Sequence, residues 1–436
     1  MSQPFQQRQK PPCRREDALA VLRRLRQAGH VAYFAGGCVR DMLLGLEPKD
    51  FDIATDAHPP AIRRLFSNTQ AVGAAFGVIL VRQGRSLVEV ATFRSDASYV
   101  DGRHPDAVTF SNAQQDAQRR DFTINGLFLD PLDGNRVIDY VGGQADLAQR
   151  RLRAIGDPQR RFAEDHLRML RAVRFAARFD LIIEPATAAA IAAAAPLLKR
   201  ISPERVAEEL RGMLVPPTRS AAWRWLWEFR LIDAIYRFLP IPLPPALDER
   251  RCVFLATAPG ATIDFPLALA AASLCVELQS RPELVDLRPL LERREVQRLV
   301  GALRQSLRLS NDESDSMREI IESLGPLLAE EPPTLAARKR FMSRPVSPQA
   351  RQLLQAIGRI GLHRARIDEL RAQLAALENV DCAPAPLISG DDLTAAGLTP
   401  GPKFKLILNE VYDQQLEGRI ATREAALSLA MELWRK

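Results

Sequence analysis

Tyr33-Phe34-Ala35-Gly36-Gly37-Cys38-Val39-Arg40-Asp41-Met42-Leu43-Leu44-Gly45, followed by Pro48-Lys49-Asp50-Phe51-Asp52-Ile53, sets the architecture of what surrounds it. A short apolar run meets a Gly-Gly turn, and a helix with an early Arg follows. A second strand then carries two carboxylates at i and i+2. Alternate side chains of a strand share a face, so Asp50 and Asp52 point one way while Phe51 and Ile53 point into the core. Two carboxylates that close repel unless a cation sits between them. Mg²⁺ fits, being hard, oxygen-seeking and often bound by one or two carboxylates plus substrate phosphates. The Gly-Gly turn leaves room for a phosphate, and the helix after it offers free N–H groups. Together these parts read as a site for a metal–nucleoside triphosphate.

Each piece alone is commonplace; the ordered string is not. Gly-Gly-x-Val-Arg-Asp, an apolar-rich spacer and Lys-Asp-x-Asp resemble the opening motif of the nucleotidyltransferase superfamily containing CCA-adding enzymes and bacterial poly(A) polymerases. Arg119-Arg120-Asp121-Phe122-Thr123-Ile124-Asn125-Gly126-Leu127 is similar to that family's second motif. Asp139-Tyr140-Val141-Gly142-Gly143 with Asp146-Leu147 resembles the third, and Phe162 to Ala176, containing Glu164-Asp165-His166-Leu167-Arg168, the fourth. The resemblance is specific over residues 28 to 215, and Gly390 to Arg423 again looks like the tail of bacterial CCA-adding enzymes.

Composition sets the bounds. A chain of 436 residues, 47% hydrophobic, has room for two or three domains with a real core. The net charge of +7 suits a phosphate-rich partner. Only seven of its 60 basic residues are Lys, however, so an Arg-biased composition explains that charge equally well. Five dispersed Cys without a C-x-x-C pair point to reduced thiols in a cytoplasmic protein. Cys38 reads as a small filler in the turn. The longest apolar run, Phe265 to Val276, is too short to span a bilayer, and the polar, basic N-terminus has no signal-peptide pattern.

Strand patterns concentrate between residues 31 and 140: Val31–Phe34, Asp50–Ala54, Val78–Val81, Leu87–Phe93, Val108–Phe110, Gly126–Leu129 and Val137–Tyr140. Helices are expected over 16–29, 38–45, 59–67, 159–179 and 185–197, and one starts at Ser202-Pro203-Glu204, with an N-cap Ser before a first-turn Pro. Breaks fall at the proline clusters near 240–245, 332–333 and 384–386. The expected class is α+β: a small mixed-sheet head followed by an elongated all-α neck, body and tail, a division the resemblance implies. The boundaries are a disordered basic arm (1–15), a catalytic head (16–150), a neck with the nucleotide-selecting helix (151–215), a body (216–330) and a tail contacting tRNA (331–436).

The resemblance implies the transfer of nucleotides to an RNA 3′ end, and the residues divide that work. Asp50 and Asp52 are the expected metal ligands and catalytic residues. Glu89, an acid amid alternating apolar residues, is the candidate third carboxylate; a solvent-facing Glu is the other reading. Gly36, Gly37 and Arg40 should hold the triphosphate, with Arg120 reaching phosphate or ribose. Asp121 and Asn125 should orient the site. The fourth motif should choose the base. On a helix Asp165 and Arg168 lie side by side. Asp accepts from the exocyclic amine of cytosine or adenine, and Arg donates to the neighbouring ring nitrogen. Guanine and uracil mismatch both, a discrimination of about 1–3 kcal/mol. A plain Asp–Arg ion pair is the alternative. Arg171 and Arg174 should neutralise triphosphate charge, or simply cover a basic helix face. Lys403 and Lys405 open a C-terminal helix that could touch an RNA backbone, or could be an ordinary surface start.

The expected substrates are CTP, ATP and the 3′ end of tRNA, with Mg²⁺ as cofactor; no membrane and no obligate protein partner are expected. Poly(A) polymerase is the rival. Such polymerases resemble one another in a basic pair after a Gly, where Val72-Gly73-Ala74-Ala75-Phe76-Gly77 has Ala. An A-adding enzyme is a third possibility. The long aperiodic stretch from Arg94 to Phe110, expected as a loop, resembles the flexible loop of CCA- and A-adding enzymes.

Overall fold

A computed structural model describes residues 13–73, 77–96, 108–240 and 242–435. The chain divides into two compact units, residues 1–209 with 225–235 and residues 210–224 with 236–436. Of the expected N-terminal arm, residues 1–12 lie outside the described residues. Of the rest, Cys13 is buried and the Arg14 N–H donates to Ser86 Oγ at 3.1 Å, while the Arg14 and Arg15 side chains are exposed and α1 begins at Arg15.

Helix α1 (Arg15–Gln27) buries Ala18, Val21, Leu22 and Leu25 along one stripe and packs across a seven-stranded sheet. Strand β1 (Ala32–Ala35) leads into α2 (Gly37–Leu43), and β2 (Ile53–Thr55) into α3 (Pro59–Leu65). Strands β3 (Thr69–Gly73), β4 (Val78–Gln83) and β5 (Ser86–Thr92) form a meander. A separate antiparallel pair, β6 (Arg94–Asp96) and β7 (Val108–Phe110), precedes α4 (Ala113–Gln118). Strands β8 (Leu127–Asp130) and β9 (Arg136–Asp139) rejoin the main sheet before α5 (Gly143–Ala148). The order is β3-β4-β5-β2-β1-β8-β9, mixed because β2 and β5 run parallel. Ala35, Ala54, Phe93 and Phe128 meet Ala113 and Ala117 of α4 in one apolar cluster.

Three expectations change. Asp50 and Asp52 lie before β2, in an extended lead-in without ladder pairing of its own, although the Asp52 carbonyl accepts from the Ala35 N–H. The alternation survives: Phe51 and Ile53 are buried, Asp50 is exposed and Asp52 half-buried. Strand β3 carries no expected pattern, since Thr69-Gln70-Ala71 alternates weakly. The loop expected from Arg94 to Phe110 begins and ends as the paired strands β6 and β7, with 97–107 outside the described residues.

After the two-residue strand β10 (Arg151–Leu152), the helix expected over 159–179 is two helices, α6 (Pro158–Glu164) and α7 (Arg168–Phe179). The chain breaks at Asp165, whose backbone is extended (φ −146°, ψ 105°). Its Oδ1 accepts from the Leu167 N–H at 3.0 Å, an Asx turn that competes with helix continuation. Strand β11 (Ile182–Ile183) pairs with β10, α8 (Pro185–Ala194) follows, and α9 (Pro203–Leu214) starts where its Ser-Pro signal puts it.

The second unit is all helical. Its longest apolar segment is the buried helix Phe265–Ser280, capped by Asp264 and packed against Val253–Ala256, Asn311–Glu322 and Ser347–Arg359. Among the described residues, no helix is long and apolar enough to cross a membrane. At the C-terminus Phe404, Ile407, Val411, Ala426 and Ala430 form a cluster of their own.

Candidate active site

Strand β1 ends at Gly36, whose φ of +70° suits a residue without Cβ. A Cβ there would also stand 2.8 Å from Arg120 Nη1. The turn delivers Gly36, Gly37 and Arg40 to a cleft of about 710 Å³ in the first unit. Asp50 and Asp52 enter from the lead-in to β2. Arg119, Arg120, Asp121 and Asn125 come from the end of α4 and the turn after it. Asp165, Arg168, Arg171, Arg174, Phe175 and Arg178 come from the α6–α7 break and α7. Sequence segments 140 residues apart thus share one cavity, and every expected nucleotide-site residue lines it.

Seven arginines in one cleft repel one another, and a second row of carboxylates holds them. Asp116, on α4, binds both Arg119 (2.7 Å) and Arg120 (2.9 Å). Its burial opposes ionisation, but the two guanidinium charges outweigh that and lower its pKa. Glu164 holds Arg168 at 2.7 Å, Asp121 holds Arg171 at 2.7 Å, and Glu209 holds Arg174 at 2.6 Å. Burial raises the Asp121 pKa less than Arg171 and the Asn125 amide lower it, leaving the carboxyl at about 2. Phe175 packs beneath the guanidinium carbons of Arg40, Arg171 and Arg174, at 5.2, 5.1 and 4.4 Å from its centroid.

Arg40 lines the cleft, but three of its N–H groups are engaged. Two donate to Asp41 Oδ1 (2.8 and 2.6 Å) and one to Asn125 Oδ1 (2.5 Å). Burial lowers its pKa against the pull of Asp41. Asp165 and Arg168 are not side by side on one helix: Asp165 pairs with Arg205 at 2.8 Å and Arg168 with Glu164. Both still face the same cleft. Glu89 does not line it. Glu89 lies on β5 one residue before Val90, which pairs with Ile53 of the parallel strand β2. Cys38 is buried, and burial first, then the Asp52 charge, push its thiol up to about 12, which suits a filler and not a nucleophile.

The third motif supports the site without lining it. Asp139 accepts from the N–H groups of Val141, Gly142, Gly143 and Gln144. Asp146 accepts from Thr123 Oγ1 at 2.6 Å, fixing the turn that carries Asn125. Gly143 packs so tightly that a Cβ would lie 2.2 Å from the Thr123 carbonyl oxygen. Asp116, Glu209, Phe175 and Arg178 line or support the cleft and are not singled out by the sequence reading. Only Arg178, four residues beyond Arg174 on α7, continues a legible spacing; the others are ordinary residues whose importance lies in what they touch. In the second unit, Lys403 and Lys405 are both exposed, and Lys403 donates to the Trp434 carbonyl at 2.7 Å and rests over its ring.

Among the described residues, no three His, Cys, Asp or Glu side chains converge as a metal-holding group. The Asp50 and Asp52 carboxylates at the cleft could hold a cation whose shell substrate phosphate and water would complete. That is a common pattern for Mg²⁺-type ions, and the oxygen-only donors fit it.

Residues 32–153 match the "Poly A polymerase head domain" family, and residues 180–241 match "Probable RNA and SrmB- binding site of polymerase A". A CCA-adding enzyme of Lacticaseibacillus paracasei is 34% identical over 418 residues, covering 95% of this chain and 96% of that protein. Poly(A) polymerase I of Salmonella typhi is 43% identical over 235 residues, but covers only 51% of this chain and 50% of its own length. The crystal structure of the Bacillus stearothermophilus CCA-adding enzyme in complex with CTP matches with a TM-score of 0.70 and 26% identity, over 96% of this chain and 97% of that one. With a relative above 30% identity aligned end to end, the chain belongs to the CCA-adding enzyme family, whose nucleotidyltransferase head is shared with bacterial poly(A) polymerases.

Proposed function

We propose that this cleft completes the 3′ end of tRNA, adding C and A from CTP and ATP without a nucleic-acid template. The chain is an RNA nucleotidyltransferase. The observation that carries the reading is one cavity with a carboxylate pair at one wall, an arginine row along the other, and a separate Asp–Arg pair that can read a base edge.

In this reading Asp50 and Asp52 would hold a divalent cation, Mg²⁺, which when bound lowers the pKa of the attacking 3′-hydroxyl and steadies the pyrophosphate leaving group. Arg120, Arg171 and Arg174 present N–H groups to the triphosphate. Their carboxylate anchors fix them before substrate arrives, so little reorganisation accompanies binding. Arg40 acts chiefly by orienting Asn125, and Asn125 with Asp121 positions the ribose end. Asp165 accepts from the exocyclic amine of C or A, and Arg168 donates to the ring nitrogen beside it. Glu89, on β5, is kept as the candidate third carboxylate although it does not line the cleft. The exposed Lys405 is the better RNA-backbone contact of the C-terminal pair, because Lys403 is engaged by Trp434. The five cysteines, four of them buried and all unbridged, suit a reducing cytoplasm.

End-to-end alignment with a CCA-adding enzyme, against half-length alignment with a poly(A) polymerase, favours CCA addition. The test supplies the protein and Mg²⁺ with tRNA ending at the discriminator base, the same tRNA ending in CC, and oligoadenylate. CCA on the first, one A on the second and little extension of the third are expected. Extension of the CC-ended tRNA alone would mean an A-adding enzyme, and long A tails on all three a polymerase.

A further inference from the structure

The two residues assigned to base choice are held by different elements. Arg168 is kept from α6: its Nη1 donates to Glu164 Oε2 at 2.7 Å and to the Arg161 carbonyl at 2.9 Å. Asp165 is kept from two sides. The Leu167 N–H donates to Oδ1 at 3.0 Å, and Arg205 Nη2, from α9, donates to Oδ2 at 2.8 Å. Arg205 itself does not line the cleft.

A short side chain with one hydrogen bond can swing about its remaining torsion. With both oxygens anchored it cannot, and each oxygen keeps one lone-pair direction for an incoming amine. Resting on the base-choice reading above, we propose that Arg205 is a positioning residue for nucleotide selection. It touches neither base nor phosphate; it locks the rotamer in which Asp165 presents its acceptor to the cleft. Base selection depends on an angle-sensitive donor–acceptor match, so a loosened Asp165 loses discrimination before it loses catalysis. The pair is partly exposed, at 25% and 16% for its two side chains, so its contribution to stability is small. Glu209, one turn along α9, anchors Arg174 at 2.6 Å. A merely structural α9 would therefore weaken all nucleotides alike when altered.

The experiment measures kcat and KM for CTP and UTP on tRNA ending at the discriminator base. It compares the wild type with Arg205→Ala, Arg205→Gln and Asp165→Ala. Arg205→Ala is expected to narrow the CTP:UTP ratio of kcat/KM about tenfold, with kcat for CTP within about threefold of wild type. Arg205→Gln, which keeps an N–H donor, should fall between. An unchanged ratio in the Arg205 variants while Asp165→Ala loses selectivity overturns the proposal, as does an equal loss for both nucleotides. Should Arg205→Ala not fold, an unchanged ratio in Arg205→Gln overturns it alone. If Asp165→Ala itself keeps the wild-type ratio, the base-choice reading fails first and takes the role of Arg205 with it.

Discussion

Along the wall of the cleft built by α4 and α7, each guanidinium faces a carboxylate within ion-pair distance, whereas Asp50, three residues before β2, carries no side-chain hydrogen bond or ion pair among the described residues. In the proposed reading the difference follows from what each wall would receive. Arginines that must meet phosphates have to be fixed in advance, and crowded like charges need counter-charge to stay folded together. In the proposed reading, a carboxylate that holds a cation would have the opposite need. Every protein donor it accepts is one fewer lone pair for the ion.

The largest effect is expected at the Asp50–Asp52 pair. Asp50→Ala or Asp52→Ala should lower kcat about a thousandfold or more, since several kcal/mol of transition-state stabilisation go with the cation. Fold and tRNA affinity should be nearly untouched, because neither side chain packs in the core. Addition of labelled ATP to CC-ended tRNA measures this, and activity within about tenfold of wild type would remove the pair from the mechanism.

At the arginine wall, losing an anchor should damage folding and binding together. Asp116→Asn leaves Arg119 and Arg120 without their shared counter-charge. A loss of about 3 kcal/mol in urea unfolding is expected, the scale for removing one partner of a buried ion pair. The nucleotide KM should rise about tenfold or more. A variant with wild-type stability and KM would show that the second row is decoration.

Asp121 sharpens the same contrast through pH. Its folded pKa of about 2 lies below the ordinary 3.8, so its stabilisation is whole above about pH 4 and is lost as pH falls through 2. That shift corresponds to on the order of 2 kcal/mol. Asp121→Asn should flatten the acid limb of stability against pH by about that much, and an unaltered limb would mean that Arg171 holds nothing there.

The smallest effect is expected in the second unit, where Lys403 is held by Trp434 and Lys405 has no hydrogen bond or ion pair among the described residues. Lys405→Ala should weaken tRNA binding a few-fold and reduce the slope of log affinity against log salt by about one. Lys403→Ala should instead act on the melting temperature of the C-terminal helices. Equal effects of the two variants on the salt slope would erase the distinction.

The sequence by itself determined the order of strand, Gly-Gly turn, helix and carboxylates, and nearly every residue lining the cleft. Those features rest on local chemistry: period-two burial around Phe51 and Ile53, a turn at Gly36 that excludes Cβ, and long ordered motifs. It also marked the start of α9 at Ser202-Pro203. Only the tertiary structure decided who holds whom. Arg40 reaches Asn125 across 85 positions, Arg171 reaches Asp121 across 50, Arg205 reaches Asp165 across 40 and Arg174 reaches Glu209 across 35. With 60 basic and 53 acidic residues in the chain, no spacing rule selects those partners. The break at Asp165 was hidden for the same reason. No Gly or Pro marks it, and a residue that would sit comfortably on a helix surface turns the chain because its carboxylate is claimed by the Leu167 N–H on one side and by α9 on the other.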